Sequence, residues 1–428
     1  MMRNFKYLLL AVVVSTSFII GCSGDDNDPD PDPPAVATCS DQIQNQDETG
    51  VDCGGVCAAC PDTTPAKNGS IDSQDDVDLD PAGVEGEVNA SVTLSAAQTW
   101  VLSGALTVTA GNTLTIEAGT RIEAQAGGTD VYIAIEQGAT INAAGTMADP
   151  IVITSTADNP RPGDWGGLIL AGRAPINTGE TAEAEVVGLT YGGTAADDNS
   201  GTLTYVQVEF TGARINGEQE FNGITFYGVG SGTTVNHVSV FNGADDGIEW
   251  FGGTVNVDNA LVVNATDDMF DWAEGWTGTG TNFYGVRDEG FLNVTDDPRG
   301  IEADSNSSNN DAEPRSNPTI NDITLINAAN VVMADMIKIR RGSGATITNA
   351  LVGFVGEDAS AGDFIDLTDS AGPAAGTTSI GVSVDGGVDD TDIKNEVGAT
   401  ITIEVGNTGA DASVFAWTGF EFPANPEL

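Results

Sequence analysis

The apolar residues of this chain fall in short alternating runs. Residues 92–94 (VTL), 100–102 (WVL), 106–108 (LTV), 114–116 (LTI) and 151–153 (IVI) place one at every second position, with Gly, Asn and Asp between the runs. A period of two predicts half-buried strands, and the polar clusters predict the turns that separate them. Long helical patterns are missing, so the chain reads as all-β.

From about residue 220 onward two strings recur in a fixed order. The first is VNHVSVFN at 235–242, VDNALVVN at 257–264, INDITLIN at 320–327 and ITNALVGF at 347–354. The second follows within a few residues: DGIEW at 246–250, DMFDW at 268–272, DMIKI at 335–339 and DFIDL at 363–367. NGITF at 222–226 and RGIEA at 299–303 are further copies. The interval is 22 residues from Asp246 to Asp268 and longer where loops intervene. Coils of this length, with two or three short strands each, predict a parallel β-helix stacked at roughly 4.8 Å. A sandwich or a propeller would not keep two different strings in one order at one interval. Equivalent positions then form files, and Asn242, Asn264 and Asn327 predict stacked amides in the left-handed conformation.

Alternation assigns faces. In the second string Ile248, Phe270, Ile301, Ile337 and Ile365 take the core side, and Trp250, Trp272 and Ile339 share their parity. Thr225, Glu249, Asp271, Glu302, Lys338 and Asp366 are left as an outer ladder, with Glu249 and Asp271 on adjacent coils. Like charges stacked this closely repel unless a proton or a cation intervenes. Ca²⁺ favours several oxygens, and the preceding turns add Asp245, Asp246, Asp267 and Asp268 as expected metal ligands. Arg287, Arg299, Arg340 and Arg341 are nearby counter-charges, and a solvated acidic face is the plain alternative. Tyr227 and Phe251 fall at equivalent outward positions. A ring face beside carboxylates suits a sugar, whose C–H surface it covers while the acids accept hydroxyl hydrogen bonds. The expected ligand-binding set is therefore Glu249, Asp271, Glu302, Lys338, Asp366, Tyr227 and Phe251.

Charge narrows the partners. Among 428 residues Lys and Arg number 14 and Asp and Glu 64, a net charge of −50. A polyanion such as nucleic acid would be repelled. The single histidine, His237, excludes a multi-histidine metal site within one chain.

The N-terminus reads as an export signal. Arg3 and Lys6 precede an apolar run that ends at Gly21-Cys22, too short to cross a bilayer comfortably. The string Ile19-Ile20-Gly21-Cys22 resembles the bacterial lipobox, which implies removal of residues 1–21 and lipidation of Cys22. Ser23 and the acids after it resemble the surface-export tag of Bacteroidetes-type lipoproteins. That resemblance implies an outer-membrane anchor facing outward. An acidic, Pro-rich tether (22–38) leads to a Cys-rich module (39–60) similar to modules near the N-termini of bacterial surface proteins. Its four cysteines, Cys39, Cys53, Cys57 and Cys60, predict two disulfides in an oxidising compartment, and three pairings are open. Zinc is the alternative ligand for the closely spaced Cys57 and Cys60. A polar linker (61–80) precedes the β-helix (81–428), in which the poorly repeating residues after 371 suggest a cap.

Over residues 84–355 the chain resembles a family of β-helical bacterial lipoproteins and secreted proteins without an established activity. The strings DWGGLILAGRAPIN at 164–177, RGIEAD at 299–304 and PRSNPTI at 314–320 carry the resemblance. It implies a right-handed helix and, from the company such proteins keep, an outer-membrane transporter or other surface protein as partner. GADDG at 243–247 is slightly similar to the paired Asp of pectin-hydrolysing β-helix enzymes, and IKIR at 337–340 to their basic strand. Those enzymes add a Gly-His-Gly, whereas His237 lies between Asn236 and Val238. The reading is a surface protein binding an extracellular ligand, a glycan first. The alternatives are a polysaccharide-cleaving enzyme and a structural, adhesive or transporter-associated protein.

Overall fold

A computed structural model describes residues 39–40, 42, 44, 49, 51–60, 66–216, 219–355, 358–384 and 392–423. The signal segment, Cys22 and the tether lie outside the described residues. The chain divides into two units, residues 1–65 and 66–428. In the first, the disulfides are Cys39–Cys57 and Cys53–Cys60. This closes the open choice of pairing and leaves none of these four thiols for zinc.

The second unit is a parallel β-helix. Twenty-five strands of the described residues join one parallel system, each pairing with its equivalents one coil before and after. The repeated strings are the coils. Val206, Val238, Ala260, Phe283, Ile323 and Ala350 are successive register partners. Leu168, Ile224, Ile248, Phe270, Ile301, Ile337 and Ile365 form the second inward file. Both files are buried, with Trp250, Trp272 and Trp276 at 0% exposure among them. Trp250 and Trp276 stack at 4.4 Å. Each coil thus buries its apolar file against its neighbours, the dominant stabilising term of such a solenoid.

The asparagine files are richer than the strings suggest. Asn242 and Asn264 have φ of 56° and 60°, and the Asn264 amide donates to the Asn242 side chain at 3.2 Å. Asn327 is not in that conformation; its amide donates to the Val331 carbonyl at 2.9 Å. A second file runs through the third residue of the first string. His237, Asn259, Asn282, Asp322 and Asn349 all have φ between 51° and 61°. The Asn282 amide donates to Asn259 at 2.9 Å, and that of Asn259 to Asn236 at 2.8 Å. The left-handed residue resets the strand's alternation, which is how Val235 and Val238 both face inward.

Two boundaries differ from the expected ones. The strand Ser70–Ile71 pairs with Val84–Val88 inside the stretch expected as linker, too short to show a period. After the last strands, residues 407–423 turn back along the outer face of the asparagine file. Ala410 N–H donates to Thr324 at 2.9 Å and Thr408 N–H to Asn349 at 2.9 Å. Phe415 is buried with Leu261, Tyr284 and Ile326.

Candidate functional site

The register aligns the expected ladder. Thr225 pairs with Glu249, Glu249 with Asp271, and Asp271 with Glu302. One residue beyond the Ile301–Ile337 pair come Glu302 and Lys338, and Lys338 pairs with Asp366. The face differs from expectation in being largely buried: Glu249 is 8% exposed, Lys338 8% and Asp366 5%, while Asp271 and Glu302 are half-buried. Loop residues Thr295, Asp296 and Asp297 flank its middle.

These residues border an acidic cleft of about 410 Å³, within the range of small-ligand pockets, about 300–1,000 Å³. Asp245, Asp246, Asp267, Asp268, Asp271 and Glu302 line it, with Asp296 and Asp297 from a neighbouring loop. Its two cations are Arg214 and Arg299. The turn aspartates do structural work. Asp246 accepts from the Asp268 backbone N–H at 2.9 Å, and Asp268 from that of Arg299 at 2.6 Å. Each therefore satisfies a backbone donor of the next coil. Asp267 accepts from the Thr295 hydroxyl at 2.6 Å, and Asp245 lies 3.6 Å from Arg214.

Three groups of carboxylates bring their oxygens within 4.8 Å of one another: Asp246/Glu249/Asp271, Asp268/Asp271/Glu302 and Asp335/Asp363/Asp366. Their charge balance separates them. In the third, Lys338 holds Asp366 at 2.6 Å and Lys394 holds Asp363 at 2.6 Å. In the second, Arg299 contacts Glu302 at 2.5 Å and approaches Asp268 at 3.9 Å, and Arg340 also bonds Glu302. Arg299 reaches on to Asp335 at 3.2 Å. A guanidinium already occupies the place a metal would take. Among the described residues, Asp246, Glu249 and Asp271 have no ion-pair partner.

Burial, followed by the neighbouring carboxylates, raises Asp246, Glu249 and Asp271 well above the usual carboxylate range. Asp245 is pushed up to about 8 by burial, then by Asp267 and Glu220. Asp268 also rises, through burial and then Glu302. Arg287, which sequence reasoning placed among the outer counter-charges, lies inside at 0% exposure. It donates to the backbone carbonyls of Ala265 (3.1 Å) and Asp267.

Two buried acceptors in the first group lack a donor. Asp271 Oδ1 has no partner, and neither does the carbonyl oxygen of Asn222, a residue 2% exposed. The Asn222 amide nitrogen donates to Glu249. Sequence alignment placed Asn222 in the file of Asp246 and Asp268, but a neutral residue there gave no reason to include it. Three clustered carboxylates that make no ion pair among the described residues, with the Asn222 amide beside Glu249, are a donor set that fits Ca²⁺, an all-oxygen ion.

The aromatic part of the expected site is placed differently. Tyr227 and Phe251 are register partners and stack at 4.5 Å, but Tyr227 is 1% exposed. A hairpin made of Ala182–Glu183 and Thr190–Tyr191 covers it, with Tyr191 4.9 Å from the Tyr227 ring. Trp250 and Trp272 are core. His237 stacks on Tyr205 at 4.3 Å, on a different strand file from the cleft.

Residues 86–412 match the family described as a pectate-lyase-like beta-helix domain. The chain belongs to that family. No curated protein and no solved structure matches it. Within the pectate-lyase-like β-helix family the fold is given, and the chemistry of this member rests on the cleft.

Proposed function

We propose that this pectate-lyase-like β-helix protein binds an extracellular glycan at the acidic cleft, through a Ca²⁺ ion held by Asp246, Glu249 and Asp271. The observation that carries it is the contrast between the three carboxylate groups. Asp268 and Glu302 hold Arg299, and Asp363 and Asp366 hold Lys394 and Lys338, whereas Asp246, Glu249 and Asp271 make no ion pair among the described residues. A cation there removes the repulsion between Glu249 and Asp271 and offers remaining coordination positions to hydroxyl or carboxylate oxygens of a sugar. Arg214, half exposed at the cleft edge, adds a charge that suits a uronate carboxylate. The family description points to the same substrate class. A lipid anchor at Cys22 would hold the cleft at the cell surface.

The test is binding to polygalacturonate and to a neutral glycan such as a galactan, each with calcium and with chelator. Calcium-dependent retention on either supports the reading, with the acidic polymer preferred. Indifference to both polymers in calcium removes it.

Cleavage is the second reading, favoured by Asp245, a cleft carboxyl that stays protonated near neutral pH and is thus able to act as an acid. The clustered oxygens, all within 4.8 Å, gather about one point. Inverting hydrolysis instead needs carboxyls about 6.5–9.5 Å apart to seat a water. Release of unsaturated or reducing ends from polygalacturonate would establish it.

A further inference from the structure

The hairpin over Tyr227 is hydrogen-bonded to itself and forms a separate two-stranded sheet. Its stem closes where Gly192 N–H donates to the Gly172 carbonyl at 3.0 Å, and Gln137 bridges the carbonyls of both, at 3.0 and 2.8 Å. Gly192 and Gly193, with φ of 87° and 152°, give the stem a backbone that side-chain-bearing residues rarely adopt. The underside is apolar: Ala184, Val186 and Leu189 pack with Ile176, just before the hairpin, over the Tyr227–Phe251 stack.

What it covers is not a finished core. The Tyr227 hydroxyl is buried without a partner, an arrangement that disfavours the closed state. Phe251 lies on the same strand and outer face as Glu249, two residues along, and Glu185 of the hairpin neighbours Glu220, which lines the cleft. Among the described residues few polar contacts hold the hairpin down. The Tyr191 hydroxyl donates to Glu274 at 2.6 Å, Thr178 donates to the same carboxylate at 3.3 Å, and the Gln219 amide donates to the Glu185 carbonyl at 2.6 Å. Against them, the Glu185 carboxyl is set among Glu220 and Glu274; burial first, then these neighbours, push it up to about 7.

We propose that the hairpin of residues 178–192 is a lid, hinged after Asn177, which is anchored to Ser305 and Pro314, and at Gly192–Gly193, that lifts to extend the acidic cleft over an aromatic floor of Tyr227 and Phe251. The hinge and latch stand on their own; only the identity of what the floor receives, a sugar ring, rests on the glycan reading. A pyranose on that floor would present C–H groups to the rings and a hydroxyl to the Tyr227 oxygen.

Hydrogen exchange and tyrosine nitration on the full chain test the lid. Amides of residues 182–191 are expected to exchange about 100-fold faster than those of Ile224–Tyr227 and Ile248–Phe251. Tyr191→Phe, which removes the latch, is expected to raise the hairpin rates about 10-fold and leave those strands unchanged. Tetranitromethane should nitrate Tyr227 faster in that variant. Tyr284, equally buried with an unpartnered hydroxyl beneath the C-terminal segment, is the internal control and should not respond. Hairpin exchange as slow as the strands in both proteins, or equal nitration of Tyr227 and Tyr284, overturns the proposal. Protection of Tyr227 by oligogalacturonate with calcium supports the floor. A lid that opens while neither oligogalacturonate nor a neutral oligosaccharide protects Tyr227 supports the hinge and counts against the glycan reading.

Discussion

Glu249 and Asp271 are register partners on adjacent coils, and neither carboxylate has an ion-pair partner among the described residues. Two ionised groups at that spacing on a sheet repel. The arrangement persists only with shared protons or a bound cation, and each remedy makes its own prediction.

With calcium removed, the protons must serve. Burial and like charge raise the folded-state affinity of these carboxyls for protons, to about 8 for Asp245 and about 7 for Glu185. In the unfolded chain they titrate near 4. Between those values the folded protein binds more protons than the unfolded one. Stability is therefore full below about pH 4, falls as pH rises from there, and levels off once pH passes 7 to 8. Thermal scans in chelator should show the midpoint dropping on the order of 5 °C from pH 5 to pH 8, and calcium should flatten the curve.

Glu249→Gln removes one of the repelling charges and keeps an oxygen and the shape. In chelator at pH 8 it should melt higher than the unaltered protein. In calcium it should gain little, since one ligand charge is gone. A variant that melts lower in chelator would mean that Glu249 is compensated in a way the charge balance misses.

Arg299 serves Asp268, Glu302, Asp335 and Asp297 at once. Arg299→Met leaves buried acids uncompensated, and the loss should be about 3–5 kcal/mol in denaturant unfolding. A double variant that also carries Glu302→Gln should recover part of it.

Asn259 sits at φ 58° in the second asparagine file, donating to one neighbour and accepting from the next. Asn259→Gly keeps the backbone conformation and loses the amide bonds; Asn259→Ala loses both. The alanine variant should be less stable than the glycine variant by about 1 kcal/mol, a reversal of the usual order in strands.

The coil architecture was legible because the same apolar positions recur in two strings, so the files of Ile248, Phe270 and Ile301 follow from alternation alone. The neighbourhood of Glu249 and Asp271 followed from the same register. What surrounds that face was not legible. The cover over Tyr227 comes from a loop some forty residues earlier that has no repeat, and alternation says only which way a side chain leaves the sheet. The second asparagine file had a signal, a polar residue at the third position of each first string, that a strict period-two reading passes over. Asn222 showed its place in the file but not the orphaned oxygen that makes it relevant. Arg287 has a charge that suggested the outer face, whereas the turn carbonyls it bonds exist only once the coil is closed.

The most direct measurement is calorimetric titration of calcium into chelator-stripped protein, alongside Asp271→Asn. The account predicts one bound ion for the unaltered protein and none for the variant, with the variant folded. Calcium binding of equal strength in both, or no calcium binding in either, would contradict it.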